Sequence, residues 1–268
     1  MRKIFLKYYN VCIYCYYGFI LLILDQFIHY SFMDIFLFIP FFLSSIFLKI
    51  WINYPIINYN KLFCKTLNSA PLLDQLSFEL KNCSNLKRKE SLKYIFYSKK
   101  CVLDLNEDYL KKLELININL LDKNTILNLN IDLVYFYLLN NNLDLANKRL
   151  ININMVDRTT KKLDFIKKVY ALYSDDLDNI ESWLLNELKS QNKDNILHCA
   201  NLNFLLGIYY YKVNDRKKAL SYFQFVINNA KNIYIYKLSI NYKEKIKSNI
   251  NKNVSVDEIK KIGKSNDD

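Results

Sequence analysis

Residues 203–227 have the sequence NFLLGIYYYKVNDRKKALSYFQFVI, in which small and large apolar residues recur at the spacing of two packed helices. Antiparallel helices approach most closely where their side chains are smallest, so Gly207 and Ala219 predict the point of contact. Asn214 and Asp215 predict the turn, because Asn tolerates left-handed backbone angles and Asp is a strong helix N-cap. This stretch therefore predicts an antiparallel helical hairpin.

The same stretch resembles one tetratricopeptide repeat. Leu206, Gly207 and Tyr210 reproduce the L-G-x-x-Y pattern of that family, and Ala219 and Phe223 reproduce its A-x-x-x-F pattern. The resemblance implies that these five residues pack the two helices of the repeat together. Two positions depart from the family pattern, which has an aromatic residue in place of Asn203 and a proline in place of Lys231.

The pattern recurs 73 residues upstream, where Ala146 corresponds to Ala219. This offset equals two repeats of 34 residues plus about five, which predicts a middle helix pair over Leu163–Tyr173 and Leu177–Leu188. The loop Lys189–Asn195 accounts for the extra residues. The upstream residues that continue the pattern are Leu133, Val134, Tyr137, Asn141, Ala146 and Leu150.

Further helices are predicted over Leu92–Val102 and Glu107–Ile118, and a closing helix over Ile233–Ile250 would cap the stack. The chain of 268 residues has only three Gly and three Pro, which also favours long helices. We therefore predict an all-α protein in which residues 92–250 form a tetratricopeptide-like stack, an α-solenoid. Residues 251–268 are charged and poor in large apolar groups, which predicts a disordered tail.

Residues 1–54 predict a transmembrane helical hairpin with spans at about 8–24 and 35–54. A cleaved signal peptide would leave the second apolar run unexplained, and no small-x-small cleavage site follows Leu24. A third interpretation is that the run is amphipathic or part of a buried core. Positive charges flank the two spans, whereas the turn between them carries Asp25 and Asp34, so the positive-inside rule places both ends of the hairpin and the helical domain in the cytoplasm.

Residues 55–91 are predicted to form a basic juxtamembrane connector, with a helix break at Asn68–Pro71 because the residue before a proline disfavours the helical conformation. Seven cations lie between Lys81 and Lys100, and Glu90 is the only nearby carboxylate that the sequence suggests as their partner. A solvated helix face explains these cations, and contact with anionic lipid headgroups is the alternative. Nucleic-acid binding is not predicted, because no phosphate loop, zinc spacing or stacking motif accompanies the charges.

The resemblance also implies a binding groove, because in tetratricopeptide proteins the first helix of each repeat lines a concave surface that receives a peptide. An aromatic and aliphatic groove favours an apolar partner segment. Packing against a neighbouring repeat is the alternative role for each of these residues. The groove candidates are Phe204, Ile208, Tyr211, Ile131, Tyr135 and Leu138.

No catalytic site, metal site, cofactor or small-molecule substrate is predicted. His198 and Cys199 are adjacent on a helix and point about 100° apart, so they do not form a nucleophile and base pair. The acidic residues from Asp175 to Asp178 are explained by helix capping. The six cysteines are predicted to be reduced thiols, because only Cys12 and Cys15 lie close together.

Two functions follow from these observations. The first is a membrane-anchored, non-catalytic scaffold whose repeat groove binds an unidentified protein at the cytoplasmic face of the membrane. The alternative is a small integral membrane component of a transporter or envelope assembly, in which the hairpin oligomerises and the helical domain is regulatory.

Overall fold

A computed structural model of the chain describes residues 53–154 and 160–248, together with Gly18, Leu22, Ile50 and Trp51. This part of the chain is built from α-helices and contains no β-strand, which confirms the all-α prediction for these residues. A short 3₁₀ turn spans Ile118–Leu120. The α-helices are α1 (53–66), α2 (Ala70–Asn82), α3 (Leu86–Leu103), α4 (Glu107–Glu114), α5 (Lys123–Leu139), α6 (Leu143–Asn154), α7 (Lys161–Tyr173), α8 (Ile180–Ser190), α9 (Ile196–Lys212), α10 (Arg216–Asn229) and α11 (234–248).

The predicted membrane spans at about 8–24 and 35–54 lie almost entirely outside the described residues, as does the predicted tail at 251–268. Among the helices that are described, none combines the length and the apolar character needed to cross a bilayer. Ile50 and Trp51 are helical and lie just before α1.

The described residues group into two compact units, and α1, α3, α4 and α5 contribute residues to both. The predicted domain boundary at Leu92 falls inside α3, so a cut at that position would interrupt a helix. Unit 1 comprises the described residues up to Phe63, Asn68–Lys99 and Lys111–Leu129, and unit 2 comprises Cys64–Leu67, Lys100–Leu110 and the described residues from Asn130 onward.

Three helices of unit 2 end in the same way. The residues that follow α5, α7 and α9 include Asn141, Asp175 and Asn214, which adopt left-handed backbone angles with φ of 56°, 65° and 63°. In each case the next amide donates to a carbonyl five residues earlier, which is the bond of a Schellman motif. These bonds join Asn142 to Tyr137 (2.9 Å), Asp176 to Ala171 (3.0 Å) and Asp215 to Tyr210 (2.9 Å).

The left-handed residues are separated by 34 and 39 positions, the same spacing that the sequence pattern predicts. The following residues cap the next helix in two of the three cases. The Asn142 side chain accepts from the Leu145 amide at 3.2 Å, and the Asp215 side chain accepts from the Lys218 amide at 3.1 Å. The predicted turn at Asn214 and Asp215 is therefore confirmed, and its upstream counterpart has the same geometry.

The hairpin of α9 and α10 closes around Gly207. A β-carbon at this position would lie 2.6 Å from Cε1 of Phe223, so only glycine leaves room for the ring. Phe223 and Ala219 are both fully buried, and Leu206 lies beside them in the same core. At this point of the hairpin, the backbone of α9 therefore packs directly against an aromatic ring of α10.

The middle helix pair is α7 and α8, which pack against α6 and α9 respectively. The second helix begins at Ile180 rather than at the predicted Leu177. Asn179 has a φ of 58°, and a left-handed residue cannot belong to an α-helix, so it sets the start of α8. Ile180 and Leu184 are buried and form the inner face of this helix.

Two other predicted boundaries are corrected. α4 ends at Glu114, four residues before the predicted Ile118, because the Asn117 side chain accepts from the Asn119 amide and stabilises a separate turn. The helix break predicted at Asn68–Pro71 is present but spans 67–69, where Leu67 has a φ of 54°. Pro71 itself lies in the first turn of α2, where its missing N–H has no cost.

In unit 1, a buried ion pair joins α2 to α3. The Glu79 carboxylate, with 0% of its side chain exposed, accepts from the Arg88 guanidinium at 2.6 Å and from the Gln75 amide at 2.9 Å. The guanidinium also donates to the Asn53 side chain at 2.9 Å, so it connects three helices. The inference that only Glu90 opposes the basic stretch is therefore wrong, because Glu79 neutralises Arg88.

Replacing Gly207 with alanine is expected to lower the free energy of unfolding by about 1–2 kcal/mol, because the clash with Phe223 outweighs the better helix propensity of alanine. Thermal unfolding followed by circular dichroism measures this change. In a Phe223→Leu background the same substitution should cost less, since the ring it meets is gone. An equal cost in both backgrounds would contradict the contact.

Replacing Asn214 with valine is expected to cost about 1–2 kcal/mol, because a β-branched residue resists left-handed angles. Asn214→Gly should be close to neutral, since glycine adopts these angles without a steric cost. Asn186→Val is the matched control, because it makes the same substitution at an exposed position with ordinary helical angles inside α8. Urea unfolding measures all three, and an equal loss in N214V and N186V would count against the turn.

Candidate partner-binding surface

The helices α5, α7, α9 and α11 of unit 2 bring several tyrosines together. We call this group the tyrosine cluster, and it comprises Tyr135, Tyr173, Tyr211, Tyr234 and Tyr242. The Tyr135 hydroxyl donates to the Asn201 side chain at 3.3 Å, which ties α5 to α9. The rings of Tyr211 and Tyr242 meet edge to face with their centroids 5.1 Å apart, which ties α9 to α11. α5 and α9 are each the first helix of a pair, and α11 is the last helix of the described chain. The two contacts therefore join first helices to one another and to this last helix.

Electrostatics place Tyr173 among the other members of the cluster. Burial raises its pKa well above the usual value, and the nearby hydroxyls of Tyr135, Tyr242 and Tyr234 raise it further. Only 8% of Tyr173 is exposed, whereas the other four tyrosines are half-buried. Tyr173 is therefore the most buried member of the cluster, and the other four keep part of their surface in contact with solvent.

Four hydroxyls of this cluster, those of Tyr135, Tyr173, Tyr234 and Tyr242, have a raised pKa and are therefore neutral at physiological pH. Burial is the main cause of the raised pKa of Tyr135, Tyr234 and Tyr242, and the adjacent Tyr211 contributes to the last of these. A protonated tyrosine can both donate and accept a hydrogen bond while its ring offers apolar area. The cluster therefore presents flat apolar faces edged with neutral polar groups.

Two sets of contacts hold the cluster in place. Lys212 at the end of α9 donates to the Tyr173 carbonyl at 3.1 Å and pairs with the Asp175 carboxylate, which fixes the end of α7 against α9. The Tyr242 ring stacks on Phe223 with centroids 5.0 Å apart, and Phe204 contacts both rings. The hairpin core that Gly207 permits is therefore the base on which Tyr242 lies.

The six predicted groove residues fall into two groups. Phe204, Ile208 and Leu138 are at most 1% exposed, so in this structure they belong to the core and are closed to a partner. Ile131, Tyr135 and Tyr211 are half-buried and remain accessible. Two of these three accessible residues, Tyr135 and Tyr211, belong to the tyrosine cluster.

Sequence reasoning missed Tyr173, Tyr234 and Tyr242. A signal for one of them was present, because Tyr242 lies 34 residues after Ile208, a predicted groove position. Tyr173 and Tyr234 lie at helix ends, where the repeat spacing does not specify which way a side chain points.

The residues assigned to repeat packing lie in the hairpin core. Leu206, Ala219 and Phe223 are fully buried and Tyr210 is 4% exposed. The Tyr210 hydroxyl donates to the Glu181 carboxylate of α8, and its ring stacks on Tyr222 with centroids 5.4 Å apart. The ammonium of Lys218 lies 4.7 Å from the centre of the same ring. Tyr210 therefore connects α8, α9 and α10.

The other residues considered for chemistry have structural environments. Burial lowers the pKa of His198, whose ring lies against Phe165 of α7. Burial also raises the pKa of the Cys199 thiol, which disfavours the reactive thiolate. Asp175 is engaged by Lys212, and among the described residues no group of His, Cys, Asp and Glu side chains is suitably placed to hold a metal ion.

The raised pKa of Tyr173 predicts a pH dependence of stability. Below pH 10 the hydroxyl is protonated in both the folded and the unfolded chain and has no effect. Above pH 10 the unfolded chain ionises first, so each further pH unit should remove about 1.4 kcal/mol of stability. Urea unfolding of the wild type and of Tyr173→Phe should give similar values at pH 8, and the variant should be the more stable at pH 11. An identical pH dependence for both proteins would contradict the buried position of this hydroxyl.

Comparison of the chain with protein-family models, with curated proteins and with solved structures finds no match.

Proposed function

We propose that this chain is a membrane-tethered, non-catalytic scaffold of tetratricopeptide-like repeats, and that its tyrosine cluster binds a segment of another protein at the cytoplasmic face. The observation that carries this proposal is the cluster itself. The cluster gathers partly exposed, uncharged aromatic side chains from α5, α7, α9 and α11 into one surface. Tyrosine is enriched at protein interfaces, so such a surface is suited to contact with a partner protein.

The repeat assignment is supported by the recurrence of one helix end at intervals of 34 and 39 residues. The same backbone hydrogen bond and the same left-handed angle occur at Asn141, Asp175 and Asn214. A repeated supersecondary unit of this length is typical of helical repeat proteins, whose first helices line the binding surface. Tyr135, Tyr173 and Tyr211 of the tyrosine cluster lie on such first helices, and Tyr234 and Tyr242 lie on the closing helix α11.

The chemistry of the cluster indicates the kind of segment it would bind. Its rings favour apolar and aromatic side chains, and its neutral hydroxyls can pair with backbone amides and carbonyls of an extended peptide. Asn201 already accepts from Tyr135, so the amide of the same side chain is a further donor. Binding through these groups would depend little on salt, because no charge is neutralised.

The membrane part of the proposal is supported by the sequence pattern. Two apolar runs with positive flanks predict a hairpin whose ends are both cytoplasmic.

Extraction of membranes with alkaline carbonate should leave the protein in the pellet, and release into the supernatant would count against the two spans.

The test of the scaffold function is crosslinking and affinity recovery of the full chain from its own cells. Truncation of Tyr211 to alanine is expected to lower partner recovery about tenfold or more, as for an aromatic residue at the centre of an interface. Phe225→Ala is the matched control, because this residue is an exposed aromatic (38%) on α10, outside the cluster. Both variants should keep wild-type helicity by circular dichroism.

Equal recovery of the same partners by Y211A and F225A would remove the cluster from the binding surface. Tyr135→Phe is the finer variant, since it deletes only the hydroxyl that bonds Asn201 and leaves the ring in place. Recovery of all partners by residues 1–54 alone would favour the alternative, in which the hairpin assembles with other membrane subunits.

A further inference from the structure

A face of α1 and the residues just before it expose apolar side chains in a helical pattern. Ile50, Trp51, Tyr54 and Ile57 recur at intervals of three and four residues and are between 46% and 59% exposed. The opposite face of the same helix carries the buried Ile56 and Phe63. Large apolar side chains therefore lie on a surface that the core of the protein does not cover.

Two contacts show that α1 and α3 run side by side in the same direction within unit 1. Near the starts of both helices, the Arg88 guanidinium donates to the Asn53 side chain at 2.9 Å. About three turns further on, the Lys99 ammonium lies 5.5 Å from the centre of the Phe63 ring. The first turns of α1 and α3 therefore lie at the same end of unit 1.

That end combines exposed apolar and positively charged residues. Leu86, the first residue of α3, is 67% exposed. Lys87 and Lys89 lie in the same first turn, and Lys81 lies in the last turn of α2, which a three-residue loop connects to α3. We call Trp51, Tyr54, Leu86, Lys81, Lys87 and Lys89 the basal surface.

The acidic groups of this region are used internally. Glu79 is fully buried and bonded to Arg88, and Glu90 is 9% exposed and paired with Lys93. By contrast, Lys81, Lys87 and Lys89 form no ion pair with any residue in the described part of the chain. The basal surface therefore has a net positive charge that its own carboxylates do not neutralise.

We propose that the basal surface contacts an anionic phospholipid bilayer, with its aromatic and aliphatic side chains at the level of the headgroups and its three lysines paired with lipid phosphates. Trp and Tyr favour the membrane interface, and lysines near an anionic leaflet are attracted to it. The surface is also continuous in sequence with the predicted span at about 35–54. This inference rests on the membrane tether of the proposed function and not on the tyrosine cluster.

The sequence pattern suggested lipid contact for all seven cations between Lys81 and Lys100, but several of them have partners within the protein. Arg88 and Lys93 are paired with carboxylates, and Lys99 lies over Phe63. Lipid contact is therefore assigned to the cations that precede α3 or lie in its first turn.

The experiment uses the full chain reconstituted into bilayers of phosphatidylcholine with increasing phosphatidylglycerol, one of the two brominated on its acyl chains. The chain has two tryptophans, so Trp183→Phe leaves Trp51 as the sole reporter. Quenching of Trp51 should be stronger when phosphatidylglycerol carries the bromine than when phosphatidylcholine carries it at the same mole fraction. If W183F alters the circular dichroism spectrum, the difference between the wild type and Trp51→Phe gives the same signal.

The triple variant K81Q/K87Q/K89Q should raise the mole fraction of phosphatidylglycerol at half-maximal quenching roughly tenfold or more, or abolish the preference. The matched control is K217Q/K231Q/K247Q, which removes the same charge from exposed positions of unit 2 and should behave as the wild type. Equal quenching by both lipids, or equal behaviour of the two triple variants, would overturn the proposal. The proposal would also be overturned if neither brominated lipid quenched Trp51 and Trp51 crosslinked to a protein.

A failure of the tether is distinguishable from a failure of the basal surface. If carbonate releases the chain, flotation of the full chain with vesicles of phosphatidylglycerol or of phosphatidylcholine tests the surface directly. Binding to the anionic vesicles alone supports the lipid contact, and binding to neither overturns it. Recovery of protein partners through Tyr211 should be unchanged in K81Q/K87Q/K89Q.

Discussion

The contact between Gly207 and the ring of Phe223 is the constraint on which unit 2 depends. The missing side chain on α9 lets an aromatic ring of α10 occupy the space between the helices. That ring then supports Tyr242 on one side and touches Phe204 on the other. Any enlargement at position 207 would therefore displace the base of the tyrosine cluster as well as the hairpin core. The residue that fixes the architecture also positions the surface to which we assign binding.

A second constraint is how the chain turns with so little glycine. Helix ends commonly need a left-handed residue, and glycine adopts that conformation at the lowest cost. Here Asn141, Asp175 and Asn214 fill the role, and all three ends keep the same hydrogen bond. Because each end is followed closely by the next helix, the repeat spacing is set by these turns.

Local rules predicted the turn at Asn214 and the hairpin around it, because both depend on residues close together in the chain. They failed where distant side chains decide the outcome. Asn179 sets the start of α8 by its backbone conformation, which its residue type alone does not specify. The partner of Arg88 is Glu79, from the preceding helix, and only the packing of α2 on α3 reveals it. The groove itself stays a prediction, and which of its six residues are accessible is decided by burial, which residue type alone does not specify.

The two surfaces assigned to binding differ in the physics that would drive them. Four tyrosines of the cluster in unit 2 have raised pKa values and carry no charge at neutral pH, so their contacts with a partner would be made through ring area and neutral hydrogen bonds. The basal surface of unit 1 keeps three lysines outside ion pairs while its carboxylates are buried, so its attraction is largely electrostatic. Salt screens the second kind of interaction and scarcely affects the first. If both surfaces bind as proposed, partner affinity at the tyrosine cluster should not depend on the lipid charge that governs the basal surface.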